Sequence, residues 1–494
     1  MIKSKVMKKI LLLTLFFLFA APVLYPSAIR QAHGSGQAPA DVPFDVVILN
    51  GRVMDPETSF DEDGVNVGIR GGEIIKVTKE KIRGSIEIDA TGKVVAPGFI
   101  DVLSYDPNER GAWYKVADGV TTNLAMHGGT AYPRQWYKRI SAIRPPINFG
   151  AAFFYLEARN SLGIWMRRAA TEREIEKLSA MAAQALNEGA LGIGISLEYA
   201  PGISSAEVEA MMRIAKRFEA PVFFHVRYSD MEPPGTNIDA LNEVISLAEK
   251  TGASVHVDHI TSTGGTFSMK ESLKMIEAAR GRVVDITACV YPYDFWGTYL
   301  NSARFDDGWQ KRFRITYEDL QIAGTGERLT EESFKKYRKL GKLAVAYAIP
   351  EEDVIDALRS SFVMIGSDAI LTTGNNHPRA TGAFSRTLGV YVRERGVLSL
   401  MEAIKKMTLL PAERLEKRAP LFKKKGRLRE GMDADIVVFD PAKIKDTSTV
   451  EKPASFSIGI DYVLIDGKIV KTPEGLKKNI RPGKALKALK TALK

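Results

Sequence analysis

Cysteine is almost absent. Cys289 stands alone in 494 residues, so no internal disulfide can staple this fold. Long apolar runs are just as scarce. The one near the N-terminus, residues 10–24, is about 15 residues long and short for a stable membrane span. Lys3, Lys5, Lys8 and Lys9 precede it and Tyr25-Pro26-Ser27-Ala28 follows it, the order of a secretory signal. Export to a periplasmic or extracellular location is therefore expected for residues 1–28, with an uncleaved N-terminal membrane anchor as the alternative. No cysteine follows the run, which excludes lipid attachment there. A basic recognition face is missing as well. The formal net charge is +10, but the excess lies in residues 1–9 and 471–494, leaving the body at about −1. A nucleic-acid partner is not expected. Disorder is excluded by a hydrophobic content of 45%, enough for a sizeable core.

Beyond a polar linker at residues 29–44, short apolar segments and tight turns fill residues 45–97, and residues 425–470 repeat that grammar. Both ends therefore join in one small β-sandwich. Between them, residues 98–424 alternate short apolar strands with amphipathic runs. Three of those runs open on capping boxes, at Thr171/Glu174, Ser204/Glu207 and Ser399/Glu402. This alternation predicts an α/β fold, a (β/α)8 barrel. Residues 296–350, rich in aromatic and charged side chains, interrupt the alternation and form a candidate lid.

Barrel enzymes keep their chemistry at the C-terminal tips of the strands. The apolar run 362–365 ends at Gly366-Ser367-Asp368 and delivers a carboxylate to such a tip. His225 ends one earlier strand and His259 the next. Two tip histidines with an aspartate on a later strand point to a divalent metal, zinc foremost. His256 precedes His259 by three residues, so strand alternation turns it to the other face, and a hydrogen-bonded core role is expected for it.

Asp89-Ala90-Thr91-Gly92-Lys93-Val94-Val95-Ala96-Pro97-Gly98-Phe99-Ile100-Asp101 resembles the start of the barrel in the amidohydrolase superfamily. Gly119-Val120-Thr121-Thr122, Tyr199-Ala200-Pro201-Gly202, Tyr291-Pro292-Tyr293, Gly366-Ser367-Asp368, His377-Pro378-Arg379 and the stretch from Gly431 to Asp440 resemble its D-aminoacylase branch, the N-acyl-D-amino-acid deacylases. The likeness runs in order over residues 45 to 470. It implies hydrolysis of a linear amide by metal-activated water, with Asp368 as general acid and base. It also implies Arg379 on the substrate carboxylate, with Tyr199, Tyr291 and His377 lining the substrate site, and a small N-acyl amino acid or related amide as partner.

The chain departs from that family where metal ligands are expected. Leu103-Ser104-Tyr105 replaces the His-x-His of the first barrel strand, Met126-His127-Gly128-Gly129 stands near the expected bridging cysteine, and Thr261 replaces a lysine. A single zinc ion held by His225 and His259 with either His127 or Glu198 is the resulting expectation. Two other readings stand beside it: a binding protein that retains the fold without the chemistry, and a cyclic-amide hydrolase. In the tail, helical spacing would place Leu486, Leu489 and Leu493 on one face among lysines, suited to peripheral contact with an anionic membrane or to loose packing on the body.

Overall fold

A computed structural model describes residues 43–373 and 376–489. The signal or anchor reading of residues 1–28, most of the linker, and the last five residues lie outside that range. Among the described residues no helix is long and apolar enough to cross a membrane.

Eight parallel strands form one sheet in chain order: Phe99–Asp101, Val120–Thr130, Asn148–Phe154, Ile193–Ser196, Val222–His225, Val255–Val257, Ile286–Val290 and Val363–Ile365. The first and last strands meet where the Asp368 N–H donates to Leu103 O at 2.7 Å, so the barrel is nearly closed. Both faces of these strands are buried, and alternation sorts their side chains into two cores. Val222, Phe224, Val255, Val257, Ile286 and Ala288 pack outward with the surrounding helices. Phe223, Leu124, Met126, Cys289 and Met364 fill the interior. The helices that follow begin where the sequence places them, with all three capping boxes formed.

The two chain ends build one mixed nine-stranded sheet. Its long first strand, Phe44–Asp55, pairs antiparallel with Phe60–Arg70 and parallel with both Gly84–Asp89 and Val94–Pro97. Val94–Pro97 then pairs with Ile436–Phe439, which joins the N-terminal part to the C-terminal part. Val46, Ile48, Val67, Ile436 and Leu464 form its own core. The interrupting segment folds as a three-stranded antiparallel sheet of Trp296–Tyr299, Leu320–Ile322 and Leu343–Ala346, backed by Phe305, Trp309, Phe313 and Phe334.

The tail corrects the helical expectation. Residues 484–488 are extended and lie along Asn148–Phe154: Phe149 N donates to Lys484 O at 2.9 Å, and Leu486 N donates to Phe149 O at 2.7 Å. Leu486 is buried in the interior core beside Leu124 and Leu191, whereas Leu489 is 73% exposed. The backbone satisfies its hydrogen bonds against an existing strand, and the apolar face that a membrane helix would need does not form among the described residues.

Candidate metal centre

His127, His225 and His259 meet at the barrel mouth, and one ring nitrogen from each lies within 4.8 Å of the others. Each residue is buried. His127 comes from the long strand Val120–Thr130, and His225 ends Val222–His225. His259 follows Val255–Val257 with φ of +28°, and Asp368 follows Val363–Ile365 with φ of +51°. Such left-handed backbone is costly for residues other than glycine and tends to occur at functional sites. Here it breaks strand alternation, so that Asp258 and His259 both reach the interior. His256 also faces inward, one layer lower against Phe223, with Nδ1 2.8 Å from Thr287 Oγ1. The expected opposition of the His256 and His259 faces is thus corrected by the positive φ, while His256 remains a hydrogen-bonded core residue.

A buried ion pair fixes the Asp368 turn. Lys115 Nζ lies 2.7 Å from Asp101 Oδ2 and 2.6 Å from Ser367 Oγ, and the Ser367 N–H donates to Asp101 Oδ1 at 3.0 Å. Asp368 then presents Oδ1 3.8 Å from His127 Nε2 and Oδ2 4.0 Å from His259 Nε2. Its other partners are Tyr105, whose hydroxyl donates to Oδ1 at 3.2 Å, and Arg379, whose Nη2 lies 2.7 Å from Oδ2.

Two of the imidazoles spend one nitrogen outward on a carboxylate. His127 Nδ1–H donates to Asp258 Oδ2 at 2.8 Å, and His225 Nε2–H donates to Glu198 Oε2 at 2.7 Å. Among the described residues, His259 Nδ1 has only the hydroxyls of Ser262 and Thr263 near it, at 3.5 Å. The nitrogens left over, His127 Nε2, His225 Nδ1 and His259 Nε2, are those that converge. His225 Nδ1 and His259 Nε2 are 3.2 Å apart. A tetrahedral zinc ion with Zn–N bonds of ~2.0–2.1 Å sets its nitrogens roughly 3.3 Å apart, so the donor set fits such an ion.

The electrostatics agree with ligation at His225 and His259. Burial pushes His225 well below the ordinary imidazole value, aided by His127 and Arg304, and burial does the same to His259 against the pull of Asp368. Both are therefore neutral at pH 7, the form that binds metal. Burial also works against a charged His127, but its hydrogen bond to Asp258 and the nearby Asp368 charge outweigh that and raise it. Burial would raise Asp368, yet Arg379, His259 and His127 hold it below the usual carboxylate range.

The two candidates for a third ligand fall in different places. His127 joins His225 and His259. Glu198 stands behind His225, its oxygens taken by His225, by Ser229 Oγ at 2.6 Å and by Arg304 Nη1 at 3.1 Å. Of the expected substrate residues, Arg379 lies at the site over the Tyr291 ring. Tyr199 packs on His225 and bonds Thr298 of the inserted sheet at 2.9 Å. His377 spends both ring nitrogens on backbone groups: Nε2–H donates to Phe295 O at 2.9 Å and Nδ1 accepts from the Arg379 N–H at 3.0 Å, while its ring lies near Tyr291. Sequence reading gave no role to Asp258, Arg304, Ser229 or Tyr105. Tyr105 alone carried a signal, being the second inward position of the replaced His-x-His.

Fold and site together define a (β/α)8 barrel protein with a histidine cluster and one carboxylate at its mouth. Residues 361–471 match the Amidohydrolase family. The chain is 29% identical to N-acyl-D-glutamate deacylase of Alcaligenes xylosoxydans xylosoxydans, over 90% of this chain and 96% of that protein. It is 28% identical to D-aminoacylase of the same organism, over 86% and 94%. The crystal structure of N-acyl-D-glutamate deacylase from Bordetella bronchiseptica, complexed with zinc and a phosphonate inhibitor, matches with a TM-score of 0.78 at 26% identity, over 90% of this chain and all of that one. The chain belongs to the amidohydrolase superfamily and is related to the D-aminoacylases.

Proposed function

We propose that the protein is a metal-dependent hydrolase of a linear amide, with an N-acyl-D-amino acid as its substrate class. The observation that carries this reading is the convergence of three imidazole nitrogens within 4.8 Å beside an ionised Asp368. The related deacylases named above support the substrate class. His127, His225 and His259 would hold one zinc ion, which when bound supplies Lewis acidity and a water of lowered pKa. Arg379 grips Asp368 Oδ2, which leaves Oδ1 to take the proton of the attacking water and return it to the leaving nitrogen. The Tyr105 hydroxyl, which donates to Oδ1 at 3.2 Å, is the contact that this proton would displace. Arg379 Nη1 is buried with no hydrogen-bond partner among the described residues, a donor ready for a substrate carboxylate.

A second reading, a pocket that binds an acyl amino acid without cleaving it, draws on one observation: Tyr105 and Arg379 already occupy both oxygens of Asp368. Turnover separates the two. Zinc-loaded protein is assayed on N-acyl-D-amino acids, and metal content is followed by elemental analysis. The expected result is turnover that falls by roughly 10²- to 10⁴-fold in Asp368→Asn with metal retained. His225→Ala and His259→Ala are expected to lose one metal equivalent each relative to wild type. Loaded wild-type protein that binds these substrates but leaves them intact would establish the binding reading instead.

A further inference from the structure

Below the histidine cluster, inside the barrel, His256, Asp258 and Cys289 form a second group whose ligating atoms, one from each, lie within 4.8 Å of one another. All three are at most 1% exposed. Two of them carry buried polar atoms that the fold does not use. His256 Nε2 and Asp258 Oδ1 have no hydrogen-bond partner among the described residues. Leaving such atoms buried and unpaired costs about 1–3 kcal/mol each, so they call for a partner.

We propose that His256, Asp258 and Cys289 bind a second divalent transition-metal ion, zinc by preference, separate from the mouth cluster. The donor chemistry suits it. One imidazole nitrogen, one carboxylate oxygen and one thiolate form a mixed set of the kind zinc accepts, and the thiolate excludes magnesium and calcium. The outer contacts are those of a prepared ligand set. His256 fixes its ring through Nδ1 to Thr287 Oγ1 at 2.8 Å, which leaves Nε2 to ligate. The His259 N–H donates to Cys289 Sγ at 3.3 Å, which holds the sulfur in place. Asp258 gives Oδ2 to His127 and keeps Oδ1 for the ion. Charge also balances: the ion displaces the thiol proton to solvent, and a divalent cation with one carboxylate, one thiolate and one neutral imidazole is neutral, as a dry interior requires. Asp258 then joins the two centres, holding the His127 ring with one oxygen and the lower ion with the other.

Cobalt supplied during expression tests this on the full chain, because the barrel then closes around the ion and burial is no barrier to loading. A cobalt–thiolate charge-transfer band in the near ultraviolet is expected. The mouth cluster has only nitrogen donors, and Cys289 is the only cysteine in the chain, so the band has one source. It should vanish in Cys289→Ser and in Cys289→Ala with the loss of one cobalt equivalent, and persist in His225→Ala, which empties the mouth cluster instead. Wild-type protein without that band overturns the proposal, whatever the variants do. A band that persists while His225→Ala and His259→Ala lose no metal would leave this site standing and remove the mouth cluster as a metal centre.

Discussion

Glu198 receives three donors at once, from Ser229, His225 and Arg304, in a place that is 7% exposed. A carboxylate so engaged acts on the histidine cluster through His225, fixing its tautomer so that Nδ1 faces the cluster. Arg304 comes from the inserted segment and lies with its guanidinium 4.2 Å from the Trp296 ring centroid, so the insertion supplies part of the electrostatics of the site. Glu198→Gln keeps the shape and removes the charge, leaving Arg304 buried without its counter-ion and presenting an amide N–H₂ to surrounding donors. Zinc affinity at the mouth cluster is expected to fall by about 10- to 100-fold, read by competition with a chelator of known affinity. An unchanged affinity would mean that the Glu198–His225 contact is only packing. Arg304→Met, which keeps the stem against Trp296, is expected to weaken zinc less, because Ser229 and His225 still donate to Glu198.

At the level of strands and their tips, the site depends on turns that local sequence does not announce. The strand Val363–Ile365 delivers Asp368 only because Ser367 is tied to Asp101 and Lys115 across the closing edge of the barrel. Lys115 and Asp101 are at most 1% exposed, and breaking a buried pair by removing one partner costs about 3–5 kcal/mol because the other charge is left stranded. Lys115→Met should therefore lower the urea midpoint by a stability loss of that order, and a loss under about 1 kcal/mol would show that Ser367 and the backbone hold the turn without it. The same dependence explains what could be read from sequence. His225, His259 and Asp368 were legible because each ends an apolar run, and the run locates the tip. Their partners were not. Arg304 reaches Glu198 from 106 residues away, through packing that no periodicity encodes. The two nitrogens of His377 close a loop onto Phe295 and Arg379, contacts that its position in the sequence does not announce. The inward turn of both Asp258 and His259 rests on one positive φ, where strict alternation predicts opposite faces.

For the whole molecule, the question is what closes the end of the barrel away from the site. Ala412, Leu415 and Phe422 cover the interior core there, and Leu486 and Ala488 of the tail complete the layer. Tyr137 OH donates to Leu486 O at 2.8 Å, Leu486 N donates to Phe149 O at 2.7 Å and Ala488 N donates to Gly189 O at 3.2 Å, so residues from three parts of the chain anchor the extended tail. The extended and helical readings of the tail make opposite predictions for its leucines. On one helical face, Leu486 and Leu489 would be equivalent, and each substitution would cost the same. In the extended tail, Leu486→Ala empties a buried position and is expected to destabilise the fold by about 2–5 kcal/mol, whereas Leu489→Ala changes an exposed side chain and should stay within roughly 0.5 kcal/mol. A chain ending at Ile480 should lose at least as much as Leu486→Ala, since it also strips the hydrogen bonds from Phe149 and Tyr137. Equilibrium urea unfolding of the three variants decides between the two. Equal small effects from both leucines would mean that the tail does not seal the barrel, and the interior would then have to be closed by the helix Leu409–Glu416 and Phe422 alone.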